Sequence, residues 1–208
     1  MKRELFEQHL VQCPIMAILR GITVAEGPAV CDILHEAGIN LLEIPLNTHG
    51  AIEALDAAVR HCANRQLVGA GTVLAQEQVQ TVKAAGGEFI ISPNTDLAVI
   101  RETVRLGMLS MPGFLTPTEA FAALTAGAHY LKFFPAGNFG VSYIKNLQAV
   151  IKAPIFAVGG VKHQNLADFL TVCQGVGIGG NLYKPGKTLE EIQRDAAEFA
   201  RIATASSV

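Results

Sequence analysis

Short, continuously apolar runs alternate along this chain with amphipathic stretches, and each run ends in a polar or glycine-rich turn. The unit occurs eight times, with apolar runs at residues 15–19, 41–44, 67–69, 89–91, 108–111, 130–133, 155–158 and 176–178. They recur about every 20 to 26 residues, the length a strand, a crossover helix and a parallel return require. Runs with no polar alternation suit strands covered on both faces. The stretches between them read as helices. Ile33-Leu34-Ala37, Ile52-Leu55-Val59, Leu97-Ile100-Val104 and Leu166-Phe169-Leu170 each line one helix face, as do Phe121 and Leu124. Thr23 and Glu26, Thr116 and Glu119, and Thr188 and Glu191 have capping-box spacing, in which two orphan backbone donors are satisfied reciprocally. Thr116 also has Pro117 at the first helical position and Gly127 as a stop. Pro28 predicts a kink or a late start in its helix.

Eight such units without a large insertion predict a (β/α)8 TIM barrel, a single domain over residues 1–208; an open doubly wound sheet is the runner-up. The chain is short beside the ~250 residues typical of that barrel, so its loops are brief, and an extra N-terminal helix over about residues 2–12 is expected to plug the floor. Half of the residues are hydrophobic, enough for a large core. The net charge of -2, with no long basic run, argues against nucleic acid or an anionic membrane as partner and leaves small molecules open. No segment approaches the roughly 18 apolar residues of a membrane span, and the first ten residues lack a secretory apolar core. Cys13, Cys31, Cys62 and Cys173 form no C-x-x-C pair and read as reduced core residues of a cytoplasmic protein.

In a barrel of this type the chemistry sits at the C-terminal ends of the strands. Read in order, those ends carry Arg20, Glu43, Thr72, Pro93-Asn94, Pro112-Gly113, Lys132, Gly159-Gly160 and Gly179-Gly180-Asn181. Alternation points Lys132 inward, opposite to Leu131 and Phe133. Desolvation there lowers a lysine pKa, and a cation such as Arg20 lowers it further, making the amine a nucleophile. A lysine snorkelling from an edge strand is the bland alternative, but a closed barrel has no edge. Glu43 interrupts its strand in the same way; alone it could be a structural carboxylate, yet with Lys132 it supplies an acid/base beside an amine. Arg20 could grip a carboxylate bidentately or simply be solvated. The glycines before Thr72 admit a close ligand or close packing. The glycine turns after the last two strands offer bare N–H groups of the kind that hold phosphate. The histidines form no H-x-H or H-E-x-x-H pattern and no acidic cluster is present, so no metal or cofactor is expected.

Ile18-Leu19-Arg20-Gly21, Leu42-Glu43-Ile44-Pro45-Leu46-Asn47, Gly69-Ala70-Gly71-Thr72-Val73, Ser92-Pro93-Asn94, Leu131-Lys132-Phe133-Phe134-Pro135 and Val158-Gly159-Gly160-Val161 together resemble the 2-keto-3-deoxy-6-phosphogluconate/galactonate aldolases over nearly the whole chain. The resemblance implies a class I aldolase that releases pyruvate and glyceraldehyde 3-phosphate from a phosphorylated keto-deoxy sugar acid. It implies Lys132 as Schiff-base lysine and Glu43 as acid/base. Arg20 and Thr72 would hold the pyruvate carboxylate, Gly159, Gly160, Gly179, Gly180 and Asn181 the phosphate, and Asn47, Pro93 and Asn94 would add further substrate contacts. Glu43-Ile44-Pro45-Leu46-Asn47 is similar to the galactonate branch, where the gluconate enzymes carry a Glu-Val-Thr-Leu-Arg type of sequence. Members often have serine in the last phosphate turn, where this chain has Gly179-Gly180-Asn181, leaving the backbone donors. A homotrimer is also implied. The rival readings are gluconate specificity, a phosphosugar isomerase or epimerase, and a non-catalytic phosphosugar-binding barrel.

Overall fold

The structure, a computed structural model, describes residues 2–63 and 65–205. The ends of the 1–208 span read as one domain, residue 1 and residues 206–208, lie outside the described residues. Nine parallel strands form a nearly closed α/β barrel: β1 (Ile15–Ile18), β2 (Leu41–Pro45), β3 (Leu67–Gly71), β4 (Phe89–Ile91), β5 (Leu109–Met111), β6 (Gly113–Phe114), β7 (Leu131–Phe133), β8 (Ile155–Val158) and β9 (Gly175–Ile178). Their order around the sheet is β5-β4-β3-β2-β1-β9-β8-β7-β6. This excludes the open doubly wound sheet. The two end strands are separated by one residue, Pro112, whose missing N–H interrupts the ladder. The gap is bridged by backbone bonds. Lys132 N donates to Pro112 O at 2.9 Å, and His129 N and Tyr130 N donate to Ser110 O at 3.0 and 3.2 Å.

The helices are α1 (Lys2–Gln12), which packs into the inner cluster, and, around the strands, α2 (Gly27–Glu36), α3 (Ala51–Cys62), α4 (Gln76–Ala84), α5 (Leu97–Arg105), α6 (Pro117–Thr125), α7 (Ala136–Leu147), α8 (His163–Leu170) and α9 (Leu189–Ala205). Among the described residues no helix is long and apolar enough to cross a membrane. At α6 the expected capping box forms, Glu119 N donating to Thr116 Oγ1 while Thr116 N donates to Glu119 Oε2. Gly127 follows in a left-handed conformation, φ 102°. Thr188 and Glu191 make the same reciprocal pair before α9. Thr23 and Glu26 also bond, but only as a turn: α2 starts at Gly27, with Pro28 in its first two positions, so the proline imposes the late start. The face drawn through Phe121 and Leu124 is displaced. Phe121 is 48% exposed, and α6 buries Ala120 and Ala123, whose small side chains let the helix lie close to the barrel. Leu97 and Val104 on α5 are likewise exposed, and Ile100 and Val99 are buried.

Alternation divides the apolar residues into two clusters. Between strands and helices lie Leu42, Ile44, Leu131 and Phe133; inside the barrel lie Met16, Leu41, Leu67, Phe89, Tyr130 and Phe156. Most of the inner residues stand at the starts of their strands, where Phe6 of α1 joins them. Its ring centroid is 4.8 Å from that of Tyr130, 5.7 Å from Phe89 and 6.2 Å from Phe156. The N-terminal half of the barrel is therefore a packed aromatic core. The polar inward positions, Glu43 and Lys132, come one step further along their strands and face the opposite end.

Candidate active site

A cavity of about 450 Å³ opens at the C-terminal ends of the strands, within the range of small-molecule sites. Glu43, 2% exposed, and Lys132, 6% exposed, both line it. They share the cavity without a direct ion pair among the described residues. Burial lowers the Lys132 pKa from the ordinary lysine range; the Glu43 carboxylate opposes this and the Arg20 guanidinium adds to it. Burial likewise raises the Glu43 pKa, against the attraction of Lys132 and Arg20. Each group is thus pushed toward its neutral form, which an amine nucleophile and a proton donor need. The Phe134 ring, its centroid 5.1 Å from Lys132 Nζ, adds an apolar wall beside the amine.

The glycines before Thr72 make room for the protein's own side chains. A Cβ on Gly71 would stand 1.4 Å from Glu43 Oε1, and one on Gly69 would stand 2.3 Å from the Phe89 ring. Of the two sequence readings, close packing is the one seen. Thr72 has a left-handed backbone, φ 56°, strained for threonine, and lines the cavity. Arg20 lines it too, its Nη1 donating to Asn47 Oδ1. Asn47 is exposed and outside the cavity wall; it positions the guanidinium. Pro93 lines the cavity but Asn94 does not: the backbone of Pro93 and Asn94 packs over Gly113, where a Cβ would meet Pro93 O at 2.2 Å.

Gly159, Gly160, Gly179, Gly180 and Asn181 line the side just beyond the C-terminal ends of β8 and β9. Gly159 and Gly160 are consecutive left-handed residues, φ 89° and 77°, a conformation that favours glycine. Among the described residues the N–H groups of Gly160, Val161, Gly180 and Asn181 donate to no protein acceptor, a concave set of bare donors suited to an anion. The Asn181 side chain clasps the two turns together, Nδ2 donating to Val161 O at 2.7 Å. No group of three or more His, Cys, Asp or Glu among the described residues is arranged to hold a metal ion.

A family model for KDPG and KHG aldolases matches residues 6–202. The chain belongs to that family. A relative from Escherichia coli (strain K12), 2-dehydro-3-deoxy-6-phosphogalactonate aldolase, is 43% identical over 197 residues, covering 93% of this chain and 96% of its own. A 2-dehydro-3-deoxy-phosphogluconate aldolase from Treponema pallidum (strain Nichols) is 30% identical over 198 residues, covering 93% of this chain and 89% of its own. A solved structure described as native KDPGal superposes with a TM-score of 0.90 at 42% identity, covering 93% of this chain and 95% of that one. Family membership makes the chain an aldolase of the lyase class.

Among the wall residues that were not picked out as site candidates are Phe134, Tyr183, Lys184 and Pro185. Phe134 stands two residues beyond Lys132, on the same inward side by alternation, so the strand pattern could have placed it on the cavity wall. The other three lie beyond the last strand, where no periodicity places a side chain; only nearness to Gly179-Gly180 marked them.

Proposed function

We propose that the chain is a class I aldolase that cleaves 2-dehydro-3-deoxy-6-phosphogalactonate into pyruvate and D-glyceraldehyde 3-phosphate. The observation that carries this is the buried amine of Lys132 sharing one cavity with the buried carboxyl of Glu43, beside two turns with bare backbone donors. Identity to the galactonate relative well above that to the gluconate relative, together with the Glu43–Asn47 sequence, supports the galactonate configuration. The scaffold is read as a (β/α)8 barrel in which β5 and β6 form one stave and α1 is an added helix. Its four cysteines are free and buried, in keeping with a cytoplasmic protein. A homotrimer is the assembly proposed, and the exposed Val104 and Phe121 offer apolar surface for it.

In this mechanism neutral Lys132 attacks the C2 ketone to give a carbinolamine, and Glu43 supplies the proton with which water leaves. The iminium then serves as electron sink. Glu43, directly or through a water, takes the C4 hydroxyl proton; the C3–C4 bond breaks toward the iminium, C4 leaves as the aldehyde, and an enamine remains. Protonation at C3 and hydrolysis release pyruvate and restore the amine. Arg20 and Thr72 hold the carboxylate, and the turns at Gly159-Gly160 and Gly179-Gly180-Asn181 hold the phosphate.

Pyruvate with borohydride should leave a reduced adduct on the Lys132 peptide, found by mass spectrometry, and Lys132→Met should leave none. An unmodified Lys132 under conditions that trap a known class I aldolase would overturn the mechanism. Cleavage rates for the two C4 epimers decide the configuration, with the galactonate form expected to be faster.

A further inference from the structure

The loop that follows β9 is fixed at both ends and carries a free charge at its centre. Lys187 Nζ donates to the backbone oxygens of Asn181 and Leu182, both at 2.9 Å, and pairs with Asp195 of α9 at 2.5 Å. That pair is largely buried, its side chains 9% and 14% exposed, so it ties the loop to the helix firmly. On the other side Pro185 packs against the turn at Gly21, where a Cβ would meet Pro185 Cγ at 2.7 Å. Lys184 stands between these anchors, exposed and on the cavity wall. Among the described residues its amine makes no hydrogen bond and no ion pair.

Three cations line the cavity: Arg20, Lys132 and Lys184. Arg20 is engaged by Asn47, and Lys132 is buried in the same cavity as Glu43. Among the described residues Lys184 is the exposed one of the three without a hydrogen-bond or ion-pair partner, and it belongs to the same loop as the bare N–H groups of Gly180 and Asn181. Those donors can orient an anion but carry no full charge. We propose that Lys184 is a specificity-determining residue of this site, its ammonium closing on the terminal phosphate of the substrate. The reading rests on the aldolase function proposed above. It assigns the two parts of phosphate recognition to different groups: the glycine turns give geometry, and Lys184 gives the charge that separates a phosphorylated sugar acid from its unphosphorylated counterpart. Lys187 is the positioning residue, because it holds the Lys184 backbone in place while leaving the side chain able to move.

The test compares steady-state cleavage of the phosphorylated keto-deoxy acid and of its unphosphorylated counterpart by the full chain and by Lys184→Met. The ratio of kcat/KM between the two substrates should fall about tenfold in the variant, mainly through KM, as for loss of one charge-assisted contact. Inorganic phosphate should weaken as a competitive inhibitor by a similar factor, the salt dependence of KM should flatten, and Lys184→Arg should restore most of the ratio. An unchanged ratio, or an equal loss on both substrates, overturns the proposal. Pyruvate trapping at Lys132 in the unaltered chain keeps the two readings apart. If trapping fails, the aldolase function falls; if it succeeds and the ratio does not move, only the role of Lys184 falls.

Discussion

At the scale of single residues, the site works by denying water to two groups that would otherwise both be charged. Burial is the largest influence on Lys132 and on Glu43, and the attraction between them opposes it in each case. The consequence for Glu43→Gln can be worked out in sign. The carboxylate raises the Lys132 pKa, so removing it lets that pKa fall further. The pH above which pyruvate adduct forms should shift downward, while kcat for cleavage drops by about 10² to 10⁴ through loss of the proton shuttle. A pH profile of borohydride trapping, run beside one of turnover, checks both. These two residues were legible in the sequence because strand alternation has a period of two, which fixes the side of the sheet whatever the tertiary detail. Lys184 was not legible, since its place depends on how Lys187 and Pro185 hold an aperiodic loop.

At the scale of elements, β3 shows how two glycines in one strand serve different ends. Glu43 pairs in register with Gly69, and its carboxylate leans over Gly71. Gly71→Ala places a methyl where Glu43 Oε1 stands, so the carboxylate must turn away; activity is expected to fall about 10²-fold, as for a displaced catalytic group. Gly69→Ala meets the Phe89 ring in the inner core, and is expected to cost about 1–3 kcal/mol of stability. Denaturation midpoints and turnover measured on both variants should separate the two effects. Sequence alone could not divide them, because a glycine's neighbour is set by cross-strand register. The helices teach a related lesson at α6. Its cap was legible from Thr116 and Glu119, as cap chemistry is local, whereas its buried face was misplaced by about one residue, Ala120 and Ala123 taking the place of Phe121. Small residues can win the interface when close approach favours them.

At the scale of the whole molecule, the barrel is divided along its axis into a packed end and a reactive end. Phe6→Ala empties the centre of the packed end and is expected to cost about 3–5 kcal/mol, read as a fall in melting temperature, while turnover per folded molecule changes little. The fold class was legible because eight similar units leave few topologies open, but the interruption at Pro112 gave no sign of how the ring would close. It closes on the proposed Schiff-base lysine: the backbone N–H of Lys132 supplies one of the bonds that bridge the gap. Amine reactivity is thereby a reporter of completed folding. With that seam open, water would reach the side chain and the ammonium would keep ordinary lysine basicity, so pyruvate trapping is expected to require the closed barrel.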